Sequence, residues 1–255
     1  MSAMRDERRN EWPGIPDRAR HDHSHGRPEG VAHGRPASGD GAAPALYPLF
    51  VKLEGRRALV VGGGPIGYQK TLDLLRSGAH VHAVALTWID EFATLDAHPA
   101  FTRSTRAFVE SDVDGVLIAI AATGDEAVQD AVWRRAEERG VLCNVVDVPE
   151  RCHFYVPASL RRGSLTVSVS TEGKSPLLAA ALRDRIAERI KPQAGAGLER
   201  LAEARRIVRE RHPEQSQRRS ALARLLSPCA IDDLLEGRLD DFETHWKKWT
   251  SSLSD

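Results

Sequence analysis

The stretch that decides the fold is Ala58-Leu59-Val60-Val61-Gly62-Gly63-Gly64-Pro65-Ile66-Gly67. Its four apolar residues show no alternation, which predicts a strand buried on both faces, as in a parallel sheet. Pro65 suits the first turn of a helix, so the glycines fall at a strand-to-helix turn. There Gly62 permits the tight turn, Gly64 lets a pyrophosphate approach the backbone, and Gly67 lets helix and strand pack closely. The alternative is a glycine-rich turn that holds no ligand.

The chain around this stretch alternates short apolar runs with helical patterns. The first helix is predicted over 65–76 and a second over 126–138. Further strands are predicted over 81–85, 116–121 and 141–146, with a weaker one over 101–103. Strands that alternate with helices are typical of βαβ units and a parallel sheet. The fold class is therefore α/β, with a Rossmann-type parallel sheet.

The pattern changes after Asp147. Leu165, Val167 and Val169 alternate with polar residues, which predicts a half-buried, antiparallel strand. Ser175-Pro176 then predicts the start of a helix. Its apolar residues fall at three- and four-residue spacing, at Leu178, Ala181, Leu182, Ile186 and Ile190. The expected organisation is a His/Pro/Gly-rich disordered tail over 1–44, a dinucleotide-binding domain over 45–149, a further segment over 150–192, and a small helical region over 193–255.

Composition limits the classes of partner. The 36 basic and 36 acidic residues balance, so charge gives no argument for nucleic acid. The chain has no uninterrupted apolar run of the roughly 20 residues that cross a membrane, and no signal peptide is apparent at residue 1. Three cysteines without a C-x-x-C pair disfavour a disulfide framework. We therefore expect a cytoplasmic protein that binds neither nucleic acid nor a membrane.

Two features of the predicted sheet edge bear on chemistry. Asp147 follows the strand predicted over 141–146, where parallel sheets bind ligands. It is either an acid or base, or an Asp that caps the turn before Pro149. The end of the second strand, 83–87, holds neither the acidic residue that often binds ribose nor an arginine for a 2′-phosphate. Ribose recognition then falls to backbone groups or Thr87, and the pattern leans towards NAD.

Taken together, several stretches resemble the precorrin-2 dehydrogenase family, which includes the amino-terminal module of siroheme synthase. The resemblance covers about residues 47–192. Its residues are Tyr47-Pro48-Leu49-Phe50, Val60-Val61-Gly62-Gly63-Gly64, Lys70, Ala83 to Thr87, Ile120-Ala121-Ala122-Thr123, Cys143-Asn144-Val145-Val146-Asp147, Phe154-Tyr155-Val156-Pro157-Ala158 and Val169-Ser170-Thr171-Glu172-Gly173-Lys174-Ser175-Pro176.

The resemblance implies an NAD-dependent oxidation of precorrin-2 to sirohydrochlorin, with ferrous iron (Fe2+) insertion as a second activity in some members. It implies that the segment 150–192 forms a homodimer and that the tetrapyrrole lies between subunits. It makes Asp147 the essential catalytic residue. The implied cofactor contacts are Gly62, Gly64, Pro65, Ile66, Gly67, Leu86, Thr87 and Thr123. The implied substrate contacts are Asn144, Ser170, Thr171, Lys174 and Ser175.

Two hypotheses from other classes stay open. One is a non-catalytic dinucleotide-sensing module, in which Asp147 only caps a turn. The other rests on His21, His23 and His25 in the tail, whose imidazoles could hold a divalent metal ion for delivery. The alternative for that tail is a composition-biased or purification-derived segment without a metal role.

Overall fold

A computed structural model describes residues 45–253 of the chain. Its centre is a sheet of five parallel strands in the order β3-β2-β1-β4-β5. The strands are β1 Arg57–Val61, β2 His80–Ala85, β3 Phe101–Thr105, β4 Ile118–Ala121 and β5 Leu142–Val145. Helix α1, Pro65–Arg76, follows β1, and helix α2, Glu126–Arg139, joins β4 to β5. This order is that of a Rossmann sheet, so the predicted fold class is confirmed.

The core explains the continuous apolar run of β1, because successive residues of a strand point to opposite faces. Val60 packs on one face with Leu74 of α1, and Leu59 packs on the other with Val132 of α2. Both faces of the strand are covered, so neither set of side chains can be polar.

The strand register brings the carboxyl ends of β1, β4 and β5 to one edge. Val61 lies opposite Ala121, and Ala121 lies opposite Val145. The glycine turn, the Thr123 loop and the Asp147 turn therefore start at neighbouring positions. Asp147 is two strands away from the glycine turn, which corresponds to about 10 Å.

The chain after Asp147 first forms an antiparallel hairpin of β6, Ala158–Arg162, and β7, Leu165–Val169, which confirms the predicted antiparallel strand. Helix α3, Pro176–Arg189, then begins as predicted at Ser175, whose Oγ accepts a hydrogen bond from the Leu178 amide at 3.2 Å. Short 3-10 helices lie at Asp90–Leu95, Glu110–Val113, Pro149–Arg151 and Pro192–Ala196.

The apolar stripe of α3 does not lie wholly against the core. Ile190 is buried and Ile186 packs beside it. Leu178 and Leu182 are 50% and 42% exposed, and Leu177 next to them is 82% exposed. The spacing of the stripe locates one helix face, but only the packing decides how much of that face the chain itself covers.

Four helices complete the described chain: α4 Gly197–Arg211, α5 Gln215–Leu225, α6 Pro228–Leu235 and α7 Leu239–Ser251. Their core includes Phe242, Trp246 and Trp249. The indole N–H of Trp249 donates to the Ala221 carbonyl at 2.7 Å and so ties α7 to α5. Within residues 45–253, no helix is both long and apolar enough to span a membrane. The expected tail, with His21, His23 and His25, lies outside the described residues.

Asp233 is a buried carboxylate in α6. It accepts hydrogen bonds from Arg238 Nε and Nη2 at 2.8 and 2.6 Å, and His245 Nε2 lies 3.0 Å away. The hydrogen bonds from Arg238 are the largest cause that lowers the pKa of Asp233 below its usual value of 3.8. A carboxyl group whose pKa is lower in the folded state stabilises the fold above its ordinary pKa. That contribution disappears as the pH falls through the folded-state pKa.

We expect Asp233→Asn to remove part of the acid sensitivity of the helical region. The midpoint of urea unfolding, followed by tryptophan fluorescence, should fall less steeply below pH 3.8 in this variant than in the wild type. Its stability at pH 7 should be lower, because the amide cannot replace the charged pairing with Arg238. Asp232→Asn, at an exposed neighbouring position, serves as the control and should keep the wild-type pH dependence. Parallel pH profiles for the wild type and Asp233→Asn would contradict the prediction.

Candidate functional site

The glycine turn is built from close backbone packing. Gly62 has φ +134° and donates its N–H to the Val84 carbonyl at 2.9 Å. A Cβ atom at Gly62 would lie 2.2 Å from the Ala122 carbonyl oxygen, and a Cβ at Gly67 would lie 2.2 Å from the Gly62 oxygen. These two glycines are therefore required for the turn itself and for the seating of α1 on the sheet.

Gly63 and Gly64 differ in their surroundings. A Cβ at Gly63 would lie 2.0 Å from the Thr87 carbonyl oxygen, whereas a Cβ at Gly64 would have no neighbour within 4 Å. The contact at Gly63 fixes the loop after β2 against the glycine turn, together with the bond from the Ile89 amide to the Gly63 carbonyl at 2.9 Å. The backbone at Gly64 is left open to the outside, as the sequence predicts for the approach of a pyrophosphate.

The start of α1 shows whether the phosphates of a dinucleotide fit the glycine turn. Gly64 is the N-cap of this 12-residue helix, and no side chain caps it. Pro65 has no N–H, and the Tyr68 N–H donates to the Gly64 carbonyl at 3.0 Å. Within residues 45–253, the N–H groups of Ile66 and Gly67 are thus left as donors at the positive end of the helix dipole. These donors suit an anionic group. The residues of the turn therefore fit the pyrophosphate of a dinucleotide.

The other predicted cofactor residues surround the turn. A Cβ at Gly62 would lie 3.2 Å from the Thr123 amide, and Thr87 touches Gly63 as described. Pro65, Ile66 and Leu86 are exposed beside them. The loops after β1, β2 and β4 therefore meet, and they bring the predicted cofactor set to one place.

Asp147 lies in the turn that follows β5. Its φ is +62°, a conformation that costs most residues energy but that Asp adopts more readily than others. The Asp147 carboxylate is exposed, and within residues 45–253 it takes part in no hydrogen bond or ion pair. The short helix at Pro149–Arg151 has Val148 as its N-cap, without a side-chain cap. The turn-capping alternative for Asp147 therefore finds no support in the geometry.

A cleft of about 950 Å³ opens beside Asp147. Its wall includes residues of α1, of the turn after β5, and of β6, β7 and α3. Four of the predicted residues line it together, namely Asn144, Asp147, Ser170 and Thr171. Asn144 is buried, with 8% of its surface exposed.

The remaining predicted substrate residues have other contacts. Lys174 Nζ pairs with Glu172 at 3.3 Å and does not line the cleft. The Ser175 hydroxyl is the N-cap of α3. Their neighbour Gly173 is on the wall instead, so the turn before α3 borders the cleft through its backbone.

The cleft also gathers four cationic side chains: Lys70, Arg76, Arg161 and Arg183. Of these, the sequence suggests only Arg161 as a partner for substrate carboxylates, with an ordinary solvated surface position as the alternative. Arg76 also pairs with Asp73 at 3.6 Å. Arg162, next to Arg161, instead donates to the Ile190 carbonyl at 3.2 Å. A sequence signal exists for Lys70, because polar Lys70, Asp73 and Ser77 recur at helical spacing and so share one face. No such signal relates α1 to Arg183, which the fold brings in from α3.

Two family models match the chain. The model described as "Putative NAD(P)-binding" matches residues 49–158, and the model described as "Sirohaem biosynthesis protein central" matches residues 162–189. A siroheme synthase of Thioalkalivibrio sulfidiphilus is 39% identical over 196 residues, which are 76% of this chain and 40% of the relative. The siroheme synthase of Methylococcus capsulatus is 37% identical, over 77% of this chain and 41% of the relative.

Among solved structures, the one described as "SirC, precorrin-2 dehydrogenase" superposes with a TM-score of 0.64 at 25% identity, covering 80% of this chain and all (100%) of the other. The chain is similar to siroheme synthases and to a precorrin-2 dehydrogenase. The resemblance that the sequence motifs indicate is thus confirmed. The chain spans about two fifths of the length of the siroheme synthases that it matches, 40% and 41% in these two cases.

Gly63→Ala and Gly64→Ala form a matched pair of substitutions in the glycine turn. Gly64→Ala should fold normally and bind NAD+ about tenfold more weakly or worse, because its methyl group enters the space of the pyrophosphate. Gly63→Ala should lose about 1–3 kcal/mol of unfolding free energy, because its Cβ meets the Thr87 carbonyl. Urea denaturation and calorimetric titration with NAD+ measure the two effects. Normal NAD+ affinity in a folded Gly64→Ala variant would show that the dinucleotide does not lie there.

Proposed function

We propose that the chain catalyses the NAD-dependent oxidation of precorrin-2 to sirohydrochlorin. The observation that carries this proposal is the Asp147 carboxylate, which has no partner within residues 45–253 and lies in a cation-lined cleft at the sheet edge of the glycine turn. Similarity to a solved structure described as a precorrin-2 dehydrogenase supports it.

The charge of the cleft is complementary to that of the proposed substrate. Precorrin-2 carries acetate and propionate side chains around its macrocycle, all ionised near neutral pH. Lys70, Arg161 and Arg183 can pair with such carboxylates, and arginine can do so with two parallel hydrogen bonds. The apolar wall residues Val146, Val156 and Pro157 offer contacts for the ring. The cations would therefore orient the macrocycle while its bridge carbons face the sheet edge.

The oxidation removes one hydride and one proton from precorrin-2. The nicotinamide of bound NAD+ supplies the hydride acceptor. Asp147 supplies the proton acceptor, and because no protein group neutralises its carboxylate in the described chain, that acceptor is available to a substrate C–H or N–H.

Iron insertion into sirohydrochlorin is proposed as a second reaction of the same cleft. Asp147 would then accept pyrrole N–H protons as Fe2+, the metal substrate, enters the ring. Within residues 45–253, no three His, Cys, Asp or Glu side chains form a group that would bind a metal ion.

We also propose a homodimer that forms through the segment 150–192. Exposed Leu177, Leu178 and Leu182 on α3 form an apolar surface beside the cleft, since Pro176, Ala179 and Arg183 of the same helix line it. Burying exposed leucines is worth about 25 cal/mol per Å² of apolar surface. A partner subunit on this surface would close the open side of the cleft.

The direct test of the oxidation is anaerobic incubation with precorrin-2 and NAD+, followed by NADH absorbance and by the spectrum of sirohydrochlorin. Asp147→Asn should lower the turnover number by about 10²–10⁴-fold, the range expected for loss of a general acid or base. The variant should keep its stability and NAD+ affinity, because Asn tolerates the left-handed conformation.

Asp96→Asn removes a carboxylate outside the cleft and is the matched control. Binding of NAD+ without NADH formation in the wild type would favour the non-catalytic dinucleotide sensor.

Addition of Fe2+ after the oxidation is complete shows whether the chain has one activity or two. Removal of residues 1–44 without effect on that second stage would exclude a metal-delivery role of the histidine tail.

The dimer proposal predicts that Leu177→Glu together with Leu182→Glu shifts the sedimentation coefficient from dimer to monomer. Buried carboxylates without partners are strongly unfavourable at an interface. Leu226→Glu, at a 39% exposed leucine after α5, is the control and should leave the dimer intact. A wild-type chain that sediments as a monomer at high micromolar concentration would contradict the proposal.

A further inference from the structure

The turn that carries Asp147 is held by a side chain outside the predicted site. The turn runs from Val145 to Val148 and is closed by the bond from the Val148 amide to the Val145 carbonyl at 3.2 Å. Asp147 is its left-handed third residue. Since the Asp147 carboxylate has no protein partner within residues 45–253, its direction depends on the backbone of this turn.

Cys152 contacts both ends of the turn. Its Sγ lies 3.2 Å from the Val145 carbonyl oxygen and 3.3 Å from that of Val148, and it faces each as a hydrogen-bond donor. The single thiol proton is shared between these two acceptors or alternates between them. Both carbonyls are thus drawn towards one sulfur atom, which limits the opening of the turn between them.

Asn144 fixes the position of that sulfur. The buried Asn144 amide donates from Nδ2 to Cys152 Sγ at 3.3 Å and to the Phe154 carbonyl at 3.0 Å. Asn144 and Cys152 also form an antiparallel bridge, and the next amide, that of His153, donates to the Cys143 carbonyl at 2.8 Å. The chain at 152–154 is therefore fastened to β5.

The protonation state of the thiol agrees with a donor role. Burial is the largest cause that raises the pKa of Cys152 above its ordinary value of 9.0. The thiol is thus protonated at neutral pH, and it is a poor nucleophile, since reactive cysteines have lowered pKa values. Its contacts point to a structural task next to the proposed catalytic carboxylate.

We propose that Cys152 is a positioning residue for Asp147: its thiol, held by Asn144, clamps the Val145–Val148 turn and so sets the direction of the carboxylate. This inference rests on the proposed oxidation of precorrin-2. It adds a residue that the family resemblance does not assign. Cys152 acts through the turn, and the proposal requires no contact between its sulfur and the substrate.

The test uses Cys152→Ala and Cys152→Ser in the full chain. Cys152→Ala should lower kcat by about 10- to 100-fold, as small displacements of a catalytic group do, while KM and NAD+ affinity stay near wild type. Cys152→Ser restores a donor at the same place and should recover most of kcat. Combined with Asp147→Asn, Cys152→Ala should cause no further loss, because the group that it positions is then absent.

Cys143→Ala is the matched control, because it deletes the same atom from a buried residue of β5 that packs on the opposite face of the sheet. It should lower the melting temperature and leave kcat unchanged. Three results would each overturn the positioning role in an active enzyme: a wild-type kcat in Cys152→Ala, additive losses in the double variant, or an equal fall of kcat in Cys143→Ala. If the wild type forms no NADH at all, the proposed oxidation itself fails, and the two failures are thereby distinguished.

Discussion

The close packing of backbone at the carboxyl edge of the sheet is the constraint on which the rest of the site depends. Gly62 lies against the loop after β4, and Gly63 lies against the loop after β2, at distances where a Cβ would overlap a carbonyl oxygen. Because side chains are absent there, three loops from different parts of the chain meet over the end of β1. This packing holds α1 in place, with an open backbone at Gly64 and an uncapped helix start.

The parallel register of the strands also fixes where the Asp147 turn begins. Val146 continues the pairing with β4 through its amide, which donates to the Ala121 carbonyl at 3.0 Å, before the chain turns. The turn then relies on local bonds to Cys152 and on the left-handed conformation of Asp147. The dinucleotide loop and the carboxylate are thus fixed by different means at one edge. The first depends on steric fit, and the second on hydrogen bonds that a single substitution can remove.

The comparisons with known proteins and the geometry of the cleft concern the same segments of the chain. The matching models cover 49–158 and 162–189, which include the glycine turn, the Asp147 turn and most of the hairpin and α3. The cleft lies where these two matched segments face each other. Its cations and the Asp147 carboxylate, which pairs with no group within residues 45–253, give the proposed reaction a charged substrate site and a proton acceptor. The apolar surface on α3 borders the same cleft, so the proposed assembly and the proposed chemistry share one wall.

The sequence by itself determined the α/β fold, the boundaries of α1, the cap of α3 and the placement of Asp147 at the ligand edge. These features follow from local patterns: buried apolar runs, helix caps and glycines whose spacing matches one turn. Only the tertiary structure decided that Asp147 is free of a capping bond, that Cys152 holds its turn, and that Lys70 and Arg183 share one cleft. The physical reason is that these relations depend on how loops, strands and helices pack in three dimensions, and a pattern of residue types carries no information about that packing.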